Sequence, residues 1–211
     1  MFVENSGIIR FEPKNEGEQK LLDYIKRKNG WKLQRRFNSL KDNQDGTVTL
    51  FLKDNYETTI SKHRLSEVIQ TGKVTPLVSP FGLYVGLRYN GKSMPLQRFL
   101  MRMELAKYEG FEETTGMKIE VNHIDENPLN NTDNNLEVVT ATENRLKCSL
   151  NNAKGFSKLS NGKLKVMVCD KHIGTFETES EARQAYVKAV KEEIKRYERI
   201  RHDFLKDNGR L

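Results

Sequence analysis

Four histidines stand in this chain, and one of them, His123, lies in a segment crowded with side-chain amides, VNHIDENPLNNTDNNLEVVTATENRLK at 121–147. Asparagine favours neither helix nor strand. Asn127, Asn130, Asn131 and Asn134 have the spacing of loop-forming residues, since Asn tolerates turn conformations. Asn122, Asn135 and Asn144 read differently. Asn122 and His123 close a run with strand character, Asn135 precedes a second such run, and Asn144 falls in the first turn of a helix. If the two strands form a hairpin with the helix across it, the four groups converge. Oxygen donors of this kind suit a hard divalent cation, Mg2+ or Mn2+. An imidazole beside them can take a proton from water while the cation stabilises a leaving oxygen. A side-chain amide can hold such a ring in one tautomer. The plainer alternative is a long turn, with Asp125 capping it.

The elements that must position these groups are legible around them. Residues 118–124 read as a strand, 125–134 as a loop and 136–140 as a second strand. Thr140-Ala-Thr-Glu143 is a capping box that starts a helix at Ala141. Upstream, 82–89 alternates as a strand, Asn90-Gly91 makes a hairpin turn, and Pro95 opens a helix over 95–108 with Leu96, Phe99, Leu100 and Met103 as its apolar side. The two prolines of PLVSP at 76–80 mark a boundary. Before it, 16–29 reads as an amphipathic helix with Leu21, Leu22 and Ile25 on one side. Strands follow at 47–53 and 56–60 after a turn at 43–46, then a short helix at 62–70 stopped by Gly72. His63, between Lys62 and Arg64, fits a surface residue or phosphate contact better than a base.

The motif VNHIDENPLNN, NNLEVVT and the closing Glu143-Asn144 resembles the HNH endonucleases of the phage homing type. The resemblance covers about residues 82–147. It implies a ββα-metal fold, with His123 as general base, Asn144 and Asn122 as metal ligands, and Asn135 as the residue that constrains the loop and orients His123. Asn122 departs from the many members that carry Asp there, which lowers the negative charge offered to a cation. Gln97 stands where related sequences often carry His. Arg145 and Lys147 are candidates for phosphate contact.

Beyond Lys154-Gly155, a strand over 163–169 places Lys163, Lys165 and Met167 opposite Leu164, Val166 and Val168. Asp170-Lys171 makes a turn and 172–176 returns. Thr178-Glu-Ser-Glu181 is a second capping box, opening a long helix with Ala182, Ala185, Tyr186, Ala189, Ile194, Tyr197, Ile200 and Phe204 along one stripe. Residues 155–190 resemble the DNA-binding domain of plant ethylene-response factors. That likeness implies a three-stranded sheet in the major groove, backed by the helix, with Lys163, Lys165, Met167, Lys171 and His172 toward DNA. The tryptophan and arginine positions typical of plant members are absent, so no base preference carries over.

Composition agrees with this class. In 211 residues the formal net charge is +7, charged residues make up 31% and hydrophobic ones 36%. A cationic excess points to a polyanion, nucleic acid above all, and the resemblance implies double-stranded DNA. Two cysteines, with no CxxC pair, exclude a four-cysteine zinc site and give no sign of a disulfide framework. They fit a reducing compartment, the cytoplasm of a bacterial host for a phage-encoded chain. No apolar run is long enough to span a bilayer. The expected fold class is α+β and multi-module: 1–75 a small α+β module, 76–152 a central ββα-metal nuclease core with its motif at about 118–150, and 153–211 a three-stranded sheet plus long helix. The expected protein is a metal-dependent DNA endonuclease acting as a monomer or weak dimer. Its rival is a non-catalytic phage DNA-binding regulator with a vestigial core.

Overall fold

The computed structural model describes residues 38–211 apart from 80 and 81, together with strands β1 (Phe2–Asn5) and β2 (Ile8–Phe11), which pair antiparallel. The expected helix at 16–29 lies outside the described residues. The chain divides into two compact units, residues 1–102 with 123–137 and residues 103–122 with 138–211. These units cross the expected boundaries at 75 and 152 without deciding which lengths of chain fold alone.

In the first unit, β3 (Ser39–Asp42), β4 (Thr47–Phe51) and β5 (Glu57–Ser61) form an antiparallel meander. Alternation along β4 and β5 turns Val48, Leu50 and Ile60 inward, each almost fully buried. The free edge of β5 takes a two-residue strand, β10 (Asn130–Asn131), in parallel. Helix α1 (Leu65–Thr71) buries Leu65 and Val68 and stops at Gly72, whose φ of 148° favours glycine. The stretch expected as a boundary is instead β6 (Thr75–Ser79), paired antiparallel with β7 (Gly82–Tyr89). Proline is tolerated there because β6 is an edge strand. Asn90-Gly91 makes the hairpin to β8 (Lys92–Pro95), with φ of 49° and 78° as a type I′ turn requires.

The single helix expected over 95–108 is broken. α2 (Leu96–Leu100) buries Leu96, Phe99 and Leu100, but Met101 leaves helical geometry at φ −92°, ψ 10°. α3 (Arg102–Ala106) therefore starts out of phase, and Met103 is 70% exposed rather than core.

The second unit holds α4 (Phe111–Thr115), α5 (Ala141–Asn152), the antiparallel sheet β12 (Ser157–Lys158), β13 (Leu164–Val168) and β14 (Lys171–Phe176), and the long helix α6 (Glu179–Asp207). Both capping boxes, Thr140 with Glu143 and Thr178 with Glu181, are formed. Leu164, Val166 and Val168 pack in one cluster with Ala182, Tyr186, Val190 and Ile194 of α6, and Leu146 of α5 joins the same cluster. The β13–β14 turn is Cys169-Asp170 rather than Asp170-Lys171, with φ of 47° and 63°. Gly155 at φ 89° lies flat on Tyr186; a Cβ there would stand 2.5 Å from the ring.

Strands β9 (Ile119–His123) and β11 (Leu136–Thr140) are hydrogen-bonded neighbours, and α5 follows β11 directly. The chain order strand, loop, strand, helix is the expected one. The division between the units passes through both strands.

Candidate active site

The motif residues fall two and two, His123 and Asn135 in the first unit, Asn122 and Asn144 in the second. Each half is built differently.

In the first half, β9 ends at His123, which is 7% exposed. Its Nε2 faces Oδ1 of Asn131 at 3.2 Å. Asn131, fully buried on β10, donates from Nδ2 to Thr58 Oγ1 at 3.0 Å and to the Pro128 carbonyl at 3.2 Å. A carbonyl can only accept, so the amide nitrogen must face Pro128 and the amide oxygen must face the histidine. Nε2 then carries the hydrogen, and the lone pair of the neutral ring lies on Nδ1. Burial lowers the His123 pKa from its ordinary value, and it stays lowered although the Asn131 bond and the charge of Asp125 act the other way. A neutral imidazole with one free lone pair is the form a general base needs.

Asn135, expected to constrain the loop and orient His123, bonds the loop at Asp125 and Asn130. Its Nδ2 donates to Asp125 Oδ1 at 2.8 Å and to the Asn130 carbonyl at 2.7 Å, and its Oδ1 accepts the Asp125 N–H at 3.0 Å. Asp125 also accepts from the Asn127 N–H and from Asn130 Nδ2. Burial pushes this carboxyl up, but those bonds and the neighbouring His123 outweigh it and leave its pKa below the ordinary value. The physical reason that Asn131 rather than Asn135 meets the ring is position. Asn135 ends a 3-10 turn at Asp133–Asn135, facing the loop backbone, whereas β10 carries Asn131 to the ring. The segment expected as plain loop is thus stitched to the sheet at β10, and Asp133 is tied further by Arg64 and His63 at 2.9 and 2.8 Å.

In the second half, Asn144 on α5 donates from Nδ2 to Glu120 Oε2 at 2.9 Å. That bond spends the amide's nitrogen on Glu120 and leaves Oδ1 as the atom able to ligate. Glu120 precedes Asn122 by two residues on β9, so the two share a strand face. The next residue of interest on α5 is structural. Glu143 is fully buried, closes the capping box, and takes two bonds of 2.9 Å from Arg201 of α6.

The expected DNA-contact residues lie in the second unit and are not equivalent. Lys163 pairs with Glu177 at 2.7 Å and Lys171 with Glu193 at 2.5 Å. His172 is exposed, its Nε2 3.3 Å from Thr175 Oγ1. Arg145 is exposed and bonds Thr142 Oγ1, while Lys147 lies 3.7 Å from Glu143. Lys165 and Met167 stand on the sheet face away from the core, and Met167 is 37% exposed. Among the described residues Lys165 and Lys158 have no carboxylate partner, but Lys158 is paired with Leu164 and so lies on the other face of the sheet.

The chain is similar to a protein of Acanthamoeba polyphaga mimivirus named an uncharacterized HNH endonuclease, with 32% identity over 121 residues, 53% of this chain and 62% of the relative. The chain thus spans less than two thirds of that relative's length. No family model and no solved structure matches, and nothing in the comparisons supports the likeness of residues 155–190 to ethylene-response-factor domains. The order of sheet and helix expected there is present all the same. No helix among the described residues is long and apolar enough to cross a membrane.

Thr58, Asn131, Glu120 and Arg201 escaped the sequence reading. Only Glu120 left a usable signal, through its i, i+2 spacing to Asn122. Thr58 and Arg201 act across 73 and 58 residues of chain, and Asn131 looks like one more loop amide.

Proposed function

We propose that this chain is a metal-dependent HNH-type DNA endonuclease of the homing kind. The observation that carries the reading is His123, buried and tied at Nε2 to Asn131 so that Nδ1 is its basic atom. A likeness to a protein named an HNH endonuclease supports it.

The donor chemistry fits a hard cation. Among the described residues no group of three or more His, Cys, Asp or Glu could hold a metal ion, so amide oxygens would complete the donor set there. Asn122 and Asn144 would hold Mg2+ or Mn2+, and Glu120 would keep the Asn144 amide turned with Oδ1 outward and add the negative charge that Asn122 lacks. Such a cation supplies Lewis-acid stabilisation of the charge that develops on a phosphodiester oxygen. His123 accepts a proton from the attacking water at Nδ1, while Asn131 keeps the ring from turning. Asn135 holds the loop through Asp125. Lys165, which has no carboxylate partner among the described residues, would neutralise a phosphate, and Met167 on the same face of β13 would meet base edges or sugars. Contacts of the first kind set position and those of the second set specificity. One such site per chain cuts one strand at a time, so a double-strand break needs two chains or two events.

The test is cleavage of supercoiled plasmid with Mg2+ or Mn2+ against a chelator control. Nicked product that requires the metal supports the reading. Binding without cleavage under every metal condition overturns it in favour of a DNA-binding regulator, and cleavage without a preferred site argues for a degradative nuclease instead.

A further inference from the structure

Thr58 is the polar exception among the buried residues of β4 and β5. The other inward residues of β4 and β5 are Val48, Leu50 and Ile60, and Thr58 is 1% exposed among them. A valine would fill the same space with no hydroxyl to satisfy, so a buried hydroxyl here costs stability unless it is fully bonded. It is. Thr58 Oγ1 donates to the Leu129 carbonyl at 2.7 Å and accepts from Asn131 Nδ2 at 3.0 Å. Because the Leu129 carbonyl takes the only hydroxyl hydrogen, the oxygen has no choice but to accept from the amide. The order of donors is therefore set along the whole chain of bonds, from His123 Nε2 through Asn131 to Thr58 and the carbonyls of Pro128 and Leu129. The main chain reinforces it, since the Thr59 N–H also reaches the Leu129 carbonyl at 2.9 Å and β10 runs parallel to β5 with Asn131 opposite Ile60.

We propose that Thr58 is a positioning residue for the base: acting through Asn131, it holds the His123 ring in the orientation and the Nε2–H tautomer that present Nδ1 to water. This gives residues 38–61, which carry no catalytic pattern in sequence, a part in the chemistry. The inference rests on the reading of His123 as the base.

The experiment combines the ring nitrogen NMR shifts of 15N-histidine-labelled full chain, at a pH where the ring is neutral, with single-turnover cleavage by the same chains. The unaltered chain should show His123 as the Nε2–H tautomer. Thr58→Val should mix the two tautomers and lower kcat by roughly tenfold, the low end for residues that act through another, with KM for DNA unchanged. Thr58→Ser keeps the hydroxyl and should restore both readings. An Nδ1–H tautomer in the unaltered chain overturns the proposal even if Thr58→Val does not fold. A folded Thr58→Val with unaltered tautomer and kcat overturns it as well. A chain whose tautomer depends on Thr58 but which never cuts DNA shows that the positioning stands and the base reading fails. A chain that cuts equally well without the hydroxyl shows the reverse.

Discussion

Arg201 closes its Nε and one terminal nitrogen on the two oxygens of Glu143, each at 2.9 Å, and so joins the last long helix to the helix that carries Asn144. Glu143 has no exposed surface and Arg201 very little. Breaking such a pair from one side leaves a buried charge uncompensated and costs about 3–5 kcal/mol. Arg201→Met should therefore lower stability by that order, read as the denaturant midpoint. Glu143→Gln with Arg201→Met should recover much of it. If the single variant is as stable as the unaltered chain, the pair does not hold α5 to α6. The same pair argues that truncation near 152 destabilises the remaining core, since it removes Arg201 and most of the cluster around Leu146.

Asp125 links the loop to Asn135, and its pKa lies below the ordinary 3.8. A carboxyl depressed on folding contributes stability that is present above its unfolded pKa and is lost as pH falls through the folded one. Asp125→Ala should thus expose the Asn127 and Leu129 amides to faster hydrogen exchange at neutral pH. The difference from the unaltered chain should shrink as acid protonates the carboxyl. Equal exchange at neutral pH would show that Asp125 does not hold the loop.

Asn144→Ala should raise the Mg2+ or Mn2+ concentration for half-maximal cleavage, and Glu120→Gln should do so more weakly. Asn122→Asp adds a charge and should keep or lower that concentration. Direct metal titration by calorimetry checks all three. A folded Asn122→Asp that binds no metal would contradict its role as a ligand.

On the C-terminal sheet, Lys165→Ala should reduce the logarithmic salt dependence of DNA affinity by about 0.9, one phosphate contact on duplex DNA. Lys163→Ala should change it less, because Glu177 already partners that lysine. Equal slopes for Lys165→Ala and the unaltered chain would remove this face from the DNA interface.

The elements around the motif were legible because each obeys a local rule. The capping boxes at Thr140 and Thr178, the Asn90-Gly91 hairpin and the alternation of Leu164 to Val168 depend on neighbours a few residues away. The broken helix after Leu100 was not legible, since the apolar spacing continues to Met103 while the backbone turns off at Met101. Nor was the strand at Thr75–Ser79, where Pro76 reads as a breaker but sits on a sheet edge. In the site, His123 stood out as the lone imidazole among amides, yet its partner did not. Asn131 and Asn135 are the same residue type four apart, and only the parallel pairing of β10 with β5, some 70 residues upstream, decides which one reaches the ring.

The central claim is that His123 takes the proton in metal-dependent phosphodiester cleavage. It is tested most directly by comparing His123→Ala with the unaltered chain on plasmid DNA under saturating Mn2+, with DNA affinity measured in parallel. Loss of a general base should slow cleavage by about 10²–10⁴-fold while affinity stays within error. Full-rate cleavage by a folded His123→Ala chain would contradict the account.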